Sequence, residues 1–236
     1  MKRVTIQVDV DVPNSSLIKN KLKINSGCKH LNQVLKLCEE HGIKLVFMFR
    51  PIYAMPTTKV IETVLKQGNE IALHADSILA TGLIKERELL EARTNVKIEG
   101  LNYHGGDLID NILFKIFKKE KYEGSLGSPF QALLAGFKYD ATGYLNTPPN
   151  PTLLSMGKKS ITVFQQRIRI DWNSFQKIES LFRNTYTILT FHSNYLLGYG
   201  FRKPTIHSLE KIFKYIRKSD FDQLTFTEWI KQFGDK

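Results

Sequence analysis

Short apolar runs alternate with amphipathic ones along most of the chain, and the alternation predicts strand followed by helix, several times over. Val4 to Val10 is an apolar strand that ends in the carboxylates Asp9 and Asp11. From His30 to His41, Leu31, Val34, Leu35, Leu37 and Cys38 fall at helical spacing, and Gly42 closes the helix. Lys44 to Phe49 reads as a short buried strand, followed by Arg50-Pro51 and a loop. Pro56 and Thr57 open a second helix that points Val60, Ile61, Val64 and Leu65 inward and stops at Gly68. Glu70 to His74 is the third strand, Lys85 to Thr94 the third helix and Val96 to His104 the fourth strand. Asp107 caps a further helix with Ile109, Ile112, Leu113, Ile116 and Phe117 on one face.

The second half follows the same logic less regularly. Ser128 to Ala135 suits a short helix and Phe137 to Asp140 a strand, while Pro148, Pro149 and Pro151 make Tyr144 to Gly157 a loop. Ile161 to Ile170 reads as one strand, Trp172 to Phe182 as a helix and Thr185 to His192 as a buried strand. Pro204 to Arg217 is a helix, and Leu224 to Phe226 leads into a last one from Thr227. Strands separated by helical crossovers imply a parallel sheet. No Gly-x-Gly-x-x-Gly loop follows the first strand, as a dinucleotide site would need. The expectation is therefore an α/β fold of one domain over residues 1–236, a distorted (β/α) barrel with seven strands, not a Rossmann sheet.

Composition narrows the class without naming it. With 236 residues, 42% hydrophobic and 24% charged, the chain is an ordinary globular domain able to bury a core. No apolar run is long enough to span a bilayer, and the N-terminal stretch is interrupted by Gln7, Asp9 and Asp11, unlike a signal peptide. Cys28 and Cys38 are too few and too far apart for a disulfide framework or a redox pair, so cytoplasmic residence with free thiols is expected. The net charge of +11 reads as solvated helix faces at Lys115 to Lys121 and Lys211 to Lys218. It favours acidic or nucleotide-linked ligands by long-range attraction, yet no motif for specific nucleic-acid binding accompanies it.

The candidate chemistry lies at strand ends. Asp9 and Asp11 are two apart on a strand and so share a face, where like charges are costly unless a cation or proton compensates them. His74, His104 and His192 each end an apolar run, and Asp140 ends another. In parallel α/β folds functional groups gather at the carboxyl ends of strands. Carboxylates and imidazoles collected there are the raw material of a metal-dependent hydrolase. His30, His41 and His207 sit on helices and are left structural, while Tyr103, Tyr139, Tyr144, Trp172 and Tyr195 lie near the expected mouth, where aromatic faces could stack on sugar rings.

Three segments together resemble a known family. Asp9-Val10-Asp11, then Gly68-Asn69-Glu70-Ile71-Ala72-Leu73-His74, then Thr190-Phe191-His192, resemble motifs of the polysaccharide deacetylase (NodB-homology) superfamily. The order of elements agrees over nearly the whole chain. The resemblance implies hydrolysis of an N-acetyl or other amide group with a divalent metal. Asp9 would be the general base, Asp11 a metal ligand and His192 the general acid. The usual second histidine is replaced by Ile78, and the chain has His74-Ala75-Asp76 and His104-Gly105-Gly106 instead, similar to divergent members. The implied triad is Asp11, His74 and His104, with Asp76 or Asp140 as partner behind it or, for Asp76, as substitute ligand. Zinc is the first choice for such a set, with cobalt, nickel, manganese and iron compatible. The family's arginine after strand four is absent, with Arg167 and Arg169 the remaining candidates to orient the base. The substrate would be a carbohydrate or glycan precursor, with Tyr103, Tyr144 and Trp172 lining its site. Alternatives are an imidase, a deformylase acting on a nucleotide-linked sugar, or a degenerate glycan-binding member. A basic nucleic-acid binder is a further class.

Overall fold

The computed structural model describes residues 2–10, 31–104, 128–143, 151–164, 167–170, 182, 186–193, 206–219 and 221–234. Its strands are β1 (Lys2–Val10), β2 (Val46–Phe49), β3 (Glu70–Ala75), β4 (Gly100–Tyr103), β5 (Tyr139–Asp140), β6 (Thr152–Met156), β7 (Lys159–Val163), β8 (Arg167–Arg169), β9 (Tyr186–His192) and β10 (Phe221–Gln223). Its helices are α1 (Leu31–His41), α2 (Thr58–Lys66), α3 (Ala80–Thr94), α4 (Pro129–Leu134), α5 (Ile206–Lys218) and α6 (Phe226–Phe233). The strands join in one curled sheet ordered β6-β7-β5-β4-β3-β2-β1-β9-β8, with β10 beside the start of β1. Every pairing is parallel except the β6–β7 hairpin. This is the expected distorted (β/α) barrel, and no described helix is long and apolar enough to cross a membrane.

Among the described residues the sheet has ten strands, nine of them in parallel pairings, and residues 161–170 do not form the one strand expected there. β7 pairs with β5 and β8 with β9, at opposite ends of the sheet. Apolar residues recur at Ile161 and Val163 and again at Ile168 and Ile170, but the polar run Gln165-Gln166-Arg167 and a shift of phase separate the two sets. A second correction concerns the loop over 144–157. Its end, Thr152–Met156, is an edge strand that turns through Gly157, at φ 63°, into β7. The strand is half exposed and paired on one side, so it lacks the apolar signature of a buried strand. α3 also begins a turn earlier than expected. Gly82 obscured the start, since a Cβ there would meet Ser77 Oγ at 2.5 Å. The helix expected after Asp107 and that over Trp172 to Phe182 lie outside the described residues, Phe182 excepted.

Strand alternation divides the interior from the outer core. Val4, Ile6, Val8 and Val10 of β1 join the outer core with Leu31 and Val34 of α1 and Leu209 and Phe213 of α5. Thr5, Gln7 and Asp9 therefore point inward. The inner space is apolar at the amino ends of the strands, where Val46, Met48, Ala72, Tyr139, Phe164, Tyr186 and Phe226 form a second cluster. Phe164 and Phe226 pack as tilted rings with centroids 4.5 Å apart, so α6 plugs that end. α6 is held by a capping box between Thr225 and Glu228. Glu70 fastens it to β3, accepting hydrogen bonds from Thr227 N (3.1 Å) and Oγ1 (2.7 Å) and from Tyr139 Oη (2.7 Å). Burial pushes the Glu70 carboxyl above its usual range. Tyr139 is thus part of the plug and not of the mouth.

Candidate active site

The polar interior residues sit one pleat or two further along the same strands. Reading inward-facing positions upward gives Gln7 and Asp9 on β1, Met48 and then Arg50 past β2, and Ala72, His74 and then Asp76 along β3. β4 gives Gly100, Asn102 and then His104, and β9 gives Thr190 and His192. The register sets Asp9 beside His192 on β9 and His74 beside Asn102 on β4. Glu70 apart, which is tied into the plug, these inward-facing residues are apolar or neutral low in the barrel and include the ionisable groups high in it.

Asp9 is 2% exposed. Its Oδ1 accepts from Gln7 Nε2 at 2.7 Å and from Asn102 Nδ2 at 2.9 Å. Its Oδ2 faces His192 Nε2 at 3.8 Å, beyond hydrogen-bond length but within ion-pair range. The amide of Asn102 spans two residues, because its Oδ1 lies 2.7 Å from His74 Nδ1. A carboxylate can only accept, so the amide must turn its NH2 to Asp9 and its oxygen to His74. His74 Nδ1 therefore carries a proton and, in the neutral ring, Nε2 carries the lone pair.

A cation stands beside this pair. Arg50, 4% exposed, forks Asp76 through Nε at 3.2 Å and Nη2 at 2.5 Å. Its Nη1 lies 3.3 Å from His104 Nε2. Guanidinium has no lone pair to offer, so His104 Nε2 accepts and Nδ1 is protonated, 3.7 Å from Asp76 Oδ1. Asp76 is held from behind as well. Glu86 of α3 accepts from Asp76 N at 3.0 Å and from Ser77 N at 2.9 Å, and burial raises its own carboxyl above the usual range.

The structure brings together Asp9, His192, His74, His104 and Asp76 from the expected set. Asp11, Tyr144, Trp172 and Tyr195 lie outside the described residues. Arg167 and Arg169 are on β8, with their side chains outside the described residues, and a further arginine, Arg50, stands in the site against Asp76 and His104. Tyr103 is 2% exposed and packs in the outer core, with its hydroxyl donating to Ser128 O at 2.9 Å. It falls between the inward-facing Asn102 and His104, so the pleat turns it away from the mouth. Asp140 turns outward too, beside Leu101 in the register, and accepts from Thr142 N at 2.9 Å and Thr142 Oγ1 at 2.5 Å. It buttresses the end of β4, since Thr142 Oγ1 accepts from Tyr103 N. Gln7, Asn102 and Arg50 were missed by sequence reasoning, though the period of two exposes them. Gln7 is two before Asp9, Asn102 two before His104, and Arg50 two past the inward-facing Met48.

The donor set is compatible with a divalent ion at His74. A ligand imidazole is typically fixed through its other nitrogen by a hydrogen-bonding partner, as Asn102 fixes His74. The His74 and His104 rings stand edge to face with centroids 5.0 Å apart. With metal–nitrogen bonds of about 2.1 Å, two rings on one tetrahedral ion have centroids roughly 5 Å apart. Among the described residues no three His, Cys, Asp or Glu side chains are already grouped as a metal site.

No protein-family model matches the chain, and no curated protein matches it significantly. Solved structures do. One assigned as a polysaccharide deacetylase, from Mycobacterium smegmatis, aligns at TM-score 0.68 and 13% identity over 99% of this chain and 90% of its own. A second so assigned, from Pseudomonas aeruginosa PAO1, gives 0.66 and 12% over 98% and 91%. The PuuE allantoinase gives 0.63 and 12% over 98% and 91%. The same fold occurs at lower similarity in a Clostridium thermocellum family 4 acetyl xylan esterase in complex with cobalt (TM-score 0.58, 14%) and in a family 4 pseudoenzyme from Bacillus anthracis (TM-score 0.53, 12%). At such identities the likeness establishes the fold: this chain has the polysaccharide deacetylase fold over nearly its full length.

Proposed function

We propose that the chain is a divalent-metal-dependent hydrolase that removes an acetyl or similar acyl group from an amide nitrogen of a carbohydrate or glycan precursor. The observation that carries this reading is the placement of Asp9, which faces His192 across 3.8 Å and is joined to His74 through one amide. A base, an acid and an imidazole with a directed lone pair share one inward face. His74, Asp11 and His104 would hold the ion, with Asp76 behind His104 or in its place. When bound, such an ion polarises the scissile carbonyl and makes water a nucleophile near neutral pH. Asp9 takes the proton of the attacking water, and His192 gives one to the departing nitrogen, so that acid and amine leave as separate products. Gln7 and Asn102 keep the carboxylate oriented between these events. Zinc is the metal of choice for this donor set, and the cobalt complex of a fold neighbour agrees with a divalent ion. Tyr144 and Trp172 are proposed to stack on the sugar, and the buried thiol of Cys38 suits residence in the cytoplasm.

The test is elemental analysis of purified wild type, His74→Ala and His104→Ala, together with turnover of N-acetylated and N-formylated sugars. Roughly one ion per chain, lost in His74→Ala, with release of free amine, is the expected outcome. Equal metal content in wild type and His74→Ala overturns the assignment. A second reading, hydrolysis of an imide or other non-peptide amide, is favoured by the allantoinase sharing this fold. A third, a degenerate glycan binder, is favoured by Arg50 resting on His104 Nε2 and by the pseudoenzyme among the neighbours. Turnover of cyclic amides alone selects the former, and a bound metal without any turnover the latter.

A further inference from the structure

Asn102 is fully buried and has both ends of its amide engaged by groups of different chemistry. Nδ2 donates to Asp9 Oδ1 at 2.9 Å, and Oδ1 accepts from His74 Nδ1 at 2.7 Å. The amide is planar and rigid, so its two contacts cannot be adjusted separately. We propose that Asn102 is a positioning residue that ties the base to the ligand imidazole: by presenting NH2 to the Asp9 carboxylate it is forced to present oxygen to His74, which fixes that ring in the Nδ1–H form. The inference rests on the hydrolase reading for the roles of Asp9 and His74, and on the hydrogen bonds alone for the tautomer.

The alternative geometry is excluded by donor count. Reversing the amide would aim C=O at a carboxylate, two acceptors face to face in a water-poor interior. Gln7 supplies Asp9 with a second donor at 2.7 Å, so the carboxylate has a partner independent of Asn102, whereas Asn102 is the group set against His74 Nδ1. The two amides are therefore separable. Asn102 acts on both residues and Gln7 on one.

Long-range proton–nitrogen correlation on 15N-labelled, metal-free protein at mildly alkaline pH reads which ring nitrogen of His74 is protonated. Wild type should show Nδ1–H. Asn102→Leu should shift His74 toward Nε2–H and lower zinc affinity, measured by chelator competition, by about 10–100-fold, the typical cost of losing the group behind a ligand histidine. Gln7→Leu should leave both readings unchanged. Nε2–H in the wild type, which needs no variant to fold, overturns the proposal, as does an Asn102→Leu protein that keeps the Nδ1–H form. Failure of the hydrolase reading is distinguishable. If the tautomer follows Asn102 while wild type neither binds zinc nor hydrolyses amides, Asn102 is upheld and the enzyme assignment falls. If zinc binds and amides turn over while the tautomer ignores Asn102, the reverse holds.

Discussion

Replacing Arg50 by methionine removes a buried cation and keeps most of the side-chain length. The guanidinium is 4% exposed and its partner Asp76 is 24% exposed, with contacts of 3.2 and 2.5 Å to the two carboxylate oxygens. Breaking a buried pair from one side costs about 3–5 kcal/mol, because the remaining charge is stranded. Asp76 retains some water, so the expected loss is about 2–4 kcal/mol. For a chain of this size each kcal/mol moves the melting temperature by about 2–4 °C, which gives a fall of about 5–15 °C. Thermal melting and urea unfolding of Arg50→Met, Asp76→Asn and the double variant form a cycle that isolates the pair. A coupling of about 2 kcal/mol or more is expected, with the double variant less destabilised than the sum of the singles. Additive singles, or an Arg50→Met protein melting within about 1 °C of wild type, would refute the view that this ion pair anchors the site.

Two further outcomes follow from the plugged end of the barrel. A Cβ at Gly100 would lie 1.9 Å from Tyr139 Cζ, and that ring is held by Glu70 and packed on Phe226 at 5.0 Å. Gly100→Ala is therefore expected to cost about 3 kcal/mol or more in urea unfolding, and a loss under about 1 kcal/mol would show that the ring yields. Glu70 has a carboxyl raised by burial above its ordinary value of 4.5. A raised group favours the protonated folded state, so its contribution is full below that value and is lost as pH rises through the folded one. The stability of wild type minus that of Glu70→Gln should thus decline from pH about 4.5 upward, and a rising difference in pH-resolved melting would contradict the cause assigned.

The repeating architecture was legible because each strand and helix carries its own period. β1, β2, β3 and β9 and helices α1, α2 and α5 lie within a few residues of where their patterns put them. What the pattern lost is instructive in particulars. Residues 161–170 read as one strand only by passing over Gln165-Gln166-Arg167, where the apolar phase shifts and the chain moves from β7 to β8 near opposite ends of the sheet. Thr152–Met156 lacks a buried apolar alternation because none of its side chains is fully buried on either face. At the site, acidic and imidazole groups were visible because they are rare at the ends of apolar runs. Gln7 and Asn102 were not, since uncharged amides draw no attention until their partners are located. Tyr103 shows the opposite error. Its proximity in sequence to His104 placed it at the mouth, whereas the pleat that turns Asn102 and His104 inward turns it out.

His74 of β3 and His104, just past β4, end in the same protonation pattern by different means, and the difference has a thermodynamic consequence. Asn102 protects the His74 Nδ1 proton and leaves Nε2 as the donor atom of the ring, whereas Arg50 places an N–H against His104 Nε2 at 3.3 Å. An ion that uses His104 Nε2 must displace that contact and then sit near a guanidinium. Arg50 and the ion therefore compete for one lone pair, while Arg50 also holds Asp76. For an ion held at His104, linkage fixes the signs: removing Arg50 would destabilise the metal-free fold yet strengthen metal binding. A hydrogen bond to a charged donor is worth about 1.5–3 kcal/mol, so Arg50→Met should bind zinc at least about 10-fold more tightly than wild type in chelator competition. Weaker binding in that variant would place His104 outside the ligand set, with Arg50 instead supporting the ion through Asp76.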